Sequence, residues 1–198
     1  MTQKAVCVFC GSQPGRRAEY VAAAREMARL LAQSGIELVY GGGHVGLMGA
    51  LADAGLASGG RVVGVIPEHL MRPEVAHQGL TELIVVDSMH TRKQTMARRS
   101  DAFIVLPGGF GTLEEMFEMV TWLQLRLQDK PVALLNVAGY FDSLLQFLEH
   151  AASEGLIRRE HQGLLLVEHA PAQLLARLAA YWAQAPVALR ADSDTSLG

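Results

Sequence analysis

The residues best suited to chemistry stand in Pro107-Gly108-Gly109-Phe110-Gly111-Thr112-Leu113-Glu114-Glu115, which follows the apolar run AFIVL and opens a helix. The glycines let a backbone come close to a ligand, and the free N–H groups of a helix start attract an anion such as a 5′-phosphate. Glu114 and Glu115 add carboxylates, groups that stabilise developing positive charge or take a proton from water. The spacing Thr112-x-x-Glu115 also reads as a capping box, with Thr112 at the N-cap and Glu115 at N3, where the pair would only close the helix end.

Carboxylates beside a phosphate repel it unless cations stand nearby. Met89-His90-Thr91-Arg92-Lys93 opens the preceding helix, just past an apolar run at 82–86. In a β-α-β arrangement that helix start lies at the same sheet edge as the Pro107–Glu115 turn. Arg92 offers a rigid bidentate fork and Lys93 a point charge. The bland alternative is a solvated basic face continued by Arg98 and Arg99. His90 is one of seven scattered histidines and is assigned no chemistry.

Two more glycine turns follow apolar runs. Gly11-Ser12-Gln13-Pro14-Gly15 follows the first, and Gly41-Gly42-Gly43-His44-Val45-Gly46 follows the second. Gly11, Ser12, Gly42 and Gly43 are candidates for a turn that cradles phosphate. The second turn satisfies G-x-G-x-x-G, and Glu68, 22 residues beyond Gly46 (68 − 46), stands where a ribose-binding acid would. That keeps an NAD(P)-binding alternative open, although the turn follows the second strand rather than the first. Leu47-Met48 replaces Lys-Ser/Thr, so this is no Walker A loop. The bland reading is a tight turn that needs positive φ.

These residues need a frame, and the chain supplies one by alternation. Strands are expected at 5–10, 36–40, 61–66, 82–86, 102–106, 131–135 and 163–167, and helices near 16–34, 46–58, 88–100, 112–128, 139–154 and 171–184. Several strands are continuously apolar and β-branched (IELVY, RVVGVI, ELIVV, AFIVL), the pattern of strands buried on both faces. The expected fold class is α/β: a Rossmann-like three-layer fold with a largely parallel sheet of about seven strands and helices on both faces. In such sheets ligands bind at the carboxyl ends of the strands, where the glycine turns fall. The helix at 112–128 is apolar nearly all round, which suggests a covered outer face.

Composition narrows the class. The chain has 198 residues, half of them apolar, and a formal charge of 17 − 20 = −3. One domain over 1–185 is expected, with 186–198 a loose tail. There is no long basic run for nucleic acid and no apolar stretch of about 18 residues for a membrane. A soluble, cytoplasmic protein is expected. Cys7 and Cys10 read C-x-x-C, but their odd spacing within a strand sends them to opposite faces, and no second pair completes a metal site. No metal and no cofactor are expected.

GGGHVGLMG, MHTRK and PGGFGTLEE, in that order and after an opening VFCGS, resemble the Lonely Guy family of cytokinin-activating phosphoribohydrolases. The likeness runs over roughly residues 5–180. It implies hydrolysis of the N-glycosidic bond of AMP or N6-substituted adenosine 5′-monophosphates to free base and ribose 5-phosphate. It further implies substrate contacts at Glu74, Arg92, Lys93, Gly109, Phe110, Gly111, Thr112, Leu113, Glu114, Glu115 and Thr121, with Arg92 and Glu115 as the catalytic pair. A homodimer with its site near the interface is implied as well. Such proteins are often named lysine decarboxylases, a reading that no pyridoxal-phosphate lysine context supports here. A nucleotide or cofactor carrier of the same fold, such as a molybdenum-cofactor carrier with a PGG-type loop, is the non-enzymatic alternative.

Overall fold

The computed structural model describes residues 3–72 and 75–184, so Glu74 and the tail from 186 lie outside the described residues. Seven strands form: β1 (Ala5–Phe9), β2 (Glu37–Tyr40), β3 (Val62–Pro67), β4 (Glu82–Val86), β5 (Ala102–Val105), β6 (Val132–Leu135) and β7 (Leu165–Glu168). They make one sheet in the order β4-β3-β2-β1-β5-β6-β7, and every neighbouring pair is parallel. The five inner strands, β3, β2, β1, β5 and β6, are buried throughout and almost wholly apolar because both their faces are covered, while the edge strands β4 and β7 are only partly buried.

Six helices cover them: α1 (Ala18–Gln33), α2 (Gly46–Ala57), α3 (Met89–Arg99), α4 (Phe110–Gln124), α5 (Asp142–Ser153) and α6 (Pro171–Gln184). One buried cluster joins alternate strand residues such as Val6, Val8 and Ile104 to α1, α2 and α6 through Ala24, Met27, Leu51 and Leu178. The other joins Cys7, Phe9 and Phe103 to α3, α4 and the start of α5 through Met96, Met116, Met119 and Phe141. Cys7 and Cys10 therefore fall in different layers, as their spacing predicts, and both are buried free thiols.

The chain order reverses at β1. β2, β3 and β4 step outward on one side, and β5 returns to pair on the other. The turns after β1 and β5 thus diverge over a crevice at the topological switch point. At the opposite edge, Arg61 and Arg99 each bridge Glu37 and Glu82, tying the amino ends of β2 and β4 to the end of α3.

The capping-box reading of α4 does not hold. The helix starts two residues before Thr112, at Phe110, and its N-cap is Gly109, which offers no side-chain cap. Thr112 is at N3 and Glu115 three residues deeper, so Glu115 closes nothing. The helix also ends at Gln124, not 128. Arg126 takes φ 58° there, its N–H donates to the Leu123 carbonyl and Leu127 N–H donates to Trp122. That is a Schellman cap with arginine where glycine is usual.

Candidate active site

The Gly11 and Pro107 turns meet across the switch point. Gly11 N–H donates to the Pro107 carbonyl at 3.0 Å, and Leu47 N–H donates to the Gly11 carbonyl at 3.1 Å. Gly108 is required at this meeting: a Cβ there would lie 2.1 Å from Thr112 Oγ1 and 2.9 Å from Gly11 N. Above the turns opens a cavity of about 250 Å³, lined by Gly11, Ser12, Gln13, Gly108, Gly109 and Tyr140 among others. Its floor is the start of α4, where the first N–H groups have no acceptor within the helix. Phe110 and Gly111 are exposed at that start, while Thr112 is buried with its hydroxyl beside Gly108. Leu113 turns inward to the second core cluster.

Arg92 sits in the first turn of α3, a helix capped by Ser88, whose hydroxyl accepts the Thr91 N–H at 3.1 Å. Helix α3 crosses beneath β3, β2 and β1 to reach β5, which carries Arg92 to the carboxyl ends of the first two. Arg92 Nε donates to the Val65 carbonyl at 3.0 Å and Nη2 to the Gly41 carbonyl at 3.1 Å. A Cβ at Gly41 would fall 2.0 Å from Nη2, so glycine is what admits the guanidinium. The remaining nitrogen, Nη1, lies 3.3 Å from Glu115 Oε1.

Glu115 is 8% exposed. Burial pushes its carboxyl up to about 7; Arg92 pulls it down and Glu114 pushes it up. A carboxyl in that range both accepts and gives a proton near neutral pH, which is what acid–base work requires. Lys93 is spoken for by α4: it pairs with Glu114 and, at 3.0 Å, with Glu118. It therefore locks α3 to α4 behind the Arg92–Glu115 pair.

The sequence candidates separate accordingly. Gly11, Ser12 and Gly109 line the cavity at the switch point, with Thr112 beside Gly108; Arg92, Lys93, Glu114 and Glu115 form the ionic seam next to it. Gly42 and Gly43 are not among the residues lining that cavity. The Gly42 carbonyl accepts from His77 N–H at 2.9 Å, and the Gly43 carbonyl accepts the Tyr40 hydroxyl at 3.0 Å. Glu68 is exposed in a short 3-10 turn past β3. Thr121 is exposed on α4, six residues beyond Glu115 and in line with Glu114, Phe117 and Glu118. Residues 48–178 match a family model described as "Possible lysine decarboxylase". A cytokinin riboside 5′-monophosphate phosphoribohydrolase of Rhodococcoides fascians is 57% identical over 157 residues, 79% of either chain.

The chain belongs to this phosphoribohydrolase family. A cytokinin riboside 5′-monophosphate phosphoribohydrolase of Oryza sativa subsp. japonica is 45% identical over 189 residues, 96% of this chain and 78% of the relative. Among solved structures, the molybdenum cofactor binding protein of Rippkaea orientalis superposes with a TM-score of 0.71 at 20% identity, over 92% of this chain and 99% of that one. That likeness is one of fold alone. Within the phosphoribohydrolase family frame, the residue that sequence reading passed over is Tyr140, which lines the cavity. Its one local signal is an aromatic residue just after the glycine turn that follows β6.

Proposed function

We propose that this chain hydrolyses the N-glycosidic bond of adenosine 5′-monophosphates, AMP and its N6-substituted forms, releasing the free base and ribose 5-phosphate. The observation that carries the reading is buried Glu115 paired with half-buried Arg92 beside the glycine-lined crevice at the switch point. In this reading the 5′-phosphate lies against Gly11, Ser12, Gly109, Phe110, Gly111 and Thr112, where N–H groups and the helix dipole favour an anion. The ribose then reaches Glu115, three residues further along α4.

Departure of the base takes the C–N bonding electrons and leaves oxocarbenium-like charge on the ribose, which the Glu115 carboxylate stabilises. Water adds to the anomeric carbon and Glu115 takes its proton, while a proton from solvent goes to the departing base nitrogen, so the base leaves neutral and Glu115 returns its proton to solvent. Arg92, held by two carbonyls, fixes the carboxylate's orientation and keeps its negative charge tolerable beside a phosphate. Glu74, Glu114 and Thr121 are the further contacts that the resemblance implies; of the other two residues it implies, Lys93 serves the site by holding α3 to α4 and Leu113 by packing α4 onto the core. A carrier needs no buried carboxylate of raised pKa against a fixed arginine; a hydrolase does.

The unit that works is one domain over 1–185, acting in the cytoplasm as a homodimer. Among the described residues no helix is long and apolar enough to cross a membrane. The dimer reading is supported by Phe110 and Phe117, 95% and 38% exposed two turns apart on α4, and by Thr121 standing clear of Glu115 on that same exposed stripe. Chromatography of AMP incubated with the protein tests the activity: adenine and ribose 5-phosphate are expected, and unchanged AMP contradicts it.

A further inference from the structure

The loop after β6 is built at some conformational expense. Buried Asn136 anchors it: its amide donates to Asp142 Oδ1 at 2.7 Å, and its oxygen accepts the Phe141 N–H at 2.8 Å. Between these anchors Ala138 stands at φ 50° and Gly139 at φ 71°. Alanine gains nothing from the left-handed region, and such residues persist only where the surroundings over-determine them, which happens most at working sites. Arg17 adds a further tie, donating to the Ala138 carbonyl at 3.2 Å.

What the loop delivers is Tyr140. Its ring meets Tyr20 and Phe141 edge-on, with centroids 5.4 and 4.8 Å away. Its hydroxyl donates to the Gly108 carbonyl at 2.7 Å. In a trans peptide the carbonyl and the following N–H point in opposite directions. Holding the Gly108 carbonyl on Tyr140 therefore turns the Gly109 N–H to the other face of the turn, at the head of α4. Glycine has no side chain to set that plane, so something outside the turn must.

We propose that Tyr140 is a positioning residue for the 5′-phosphate, orienting the Gly108–Gly109 peptide through its hydroxyl while its ring walls the cavity at the switch point. The inference rests on the phosphoribohydrolase reading. It adds a residue from the loop after β6, which is not one of the three glycine turns.

Tyr140→Phe tests it, because the ring and its edge-on contacts stay and only the hydroxyl goes. The KM for AMP should rise about 3–10-fold, the factor one neutral hydrogen bond is worth, with kcat nearly unchanged. Adenosine, followed as substrate or competitive inhibitor, should be unaffected, so preference for the phosphorylated form narrows by the same factor. Parallel changes for AMP and adenosine, or a lowered Tm with the AMP KM unmoved, would overturn it. If the wild type releases no adenine from AMP, the hydrolase reading fails by itself, and calorimetry with ribose 5-phosphate decides for Tyr140. A Kd weakened about 3–10-fold in the variant then supports the positioning role. Equal Kd values, or no binding by the wild type, reject it.

Discussion

Arg92 holds Glu115 from a fixed position: Nη1 lies 3.3 Å from Glu115 Oε1, while Nε and Nη2 are occupied by the Val65 and Gly41 carbonyls. The arginine is thus anchored to the sheet and not to the carboxylate it faces. A lysine keeps the charge but cannot span three acceptors in this geometry. Arg92→Lys should lower kcat/KM for AMP by on the order of 10²-fold, much as an unanchored catalytic group would. Steady-state kinetics check this, and near-normal turnover in the variant would mean that charge alone is needed.

The raised Glu115 carboxyl makes a pH prediction. Burial is its main cause and holds the group at about 7. If the carboxylate is the working form, kcat should fall below pH ~7 by about tenfold per unit. That limb lies above the substrate phosphate's own titration near about 6. Arg92→Ala removes a charge that lowers the group, so its limb should move upward in pH. A flat profile from pH 6 to 8 would contradict the assignment.

The same shift has a signed consequence for stability. Glu115 is raised in the folded state, so its contribution is fully present below the ordinary carboxylate range and is lost as pH climbs through about 7. The glutamine variant has no such titration. The stability of Glu115→Gln relative to wild type should therefore increase between pH 4.5 and 7.5, by as much as about 3 kcal/mol. Urea unfolding at several pH values reads it directly; a constant difference would mean that Glu115 titrates normally.

Arg126 tests the account of the α4 terminus. At φ 58° it occupies the position in a Schellman cap where glycine carries no steric cost. Arg126→Gly should raise stability by about 0.5–1 kcal/mol. Thermal unfolding would show a higher Tm, and a loss of stability would mean that the arginine side chain makes a contact worth more than the strain.

Much of the fold is legible in the order of the amino acids. Strands such as AFIVL and RVVGVI declare themselves because burial on both faces leaves no polar alternation to hide them. The glycine turns fall at strand ends, and Arg92 and Glu115 stand at fixed offsets from those ends. The Thr112–Glu115 spacing misleads for a physical reason: three residues apart describes both a capping box and one face of a running helix. Only the backbone of Gly109 decides between them. The end of α4 is hidden because no glycine marks its left-handed residue. Tyr140 is hidden because its role depends on Ala138 taking an unfavourable φ and on Gly108, 32 positions away in sequence.

The proposed dimer has its test on the exposed stripe of α4. Light scattering at micromolar concentration should give twice the 21.4 kDa chain mass. Phe117→Glu, which places a charge on that stripe, should return it to one chain mass. A wild-type monomer would leave Phe110 and Phe117 without the proposed cover.

The most direct measurement compares turnover of AMP by Glu115→Gln and Glu114→Gln with wild type. Glutamine keeps the shape and loses the charge that an oxocarbenium ion and an attacking water need. Glu115→Gln should lower kcat by on the order of 10²–10⁴, the range for a positioned acid–base group. AMP binding should hold or tighten, since a negative charge near the phosphate is gone. Glu114, exposed and paired with Lys93, should matter far less. Near-normal turnover in Glu115→Gln, with or without loss in Glu114→Gln, would contradict Glu115 as the catalytic carboxylate.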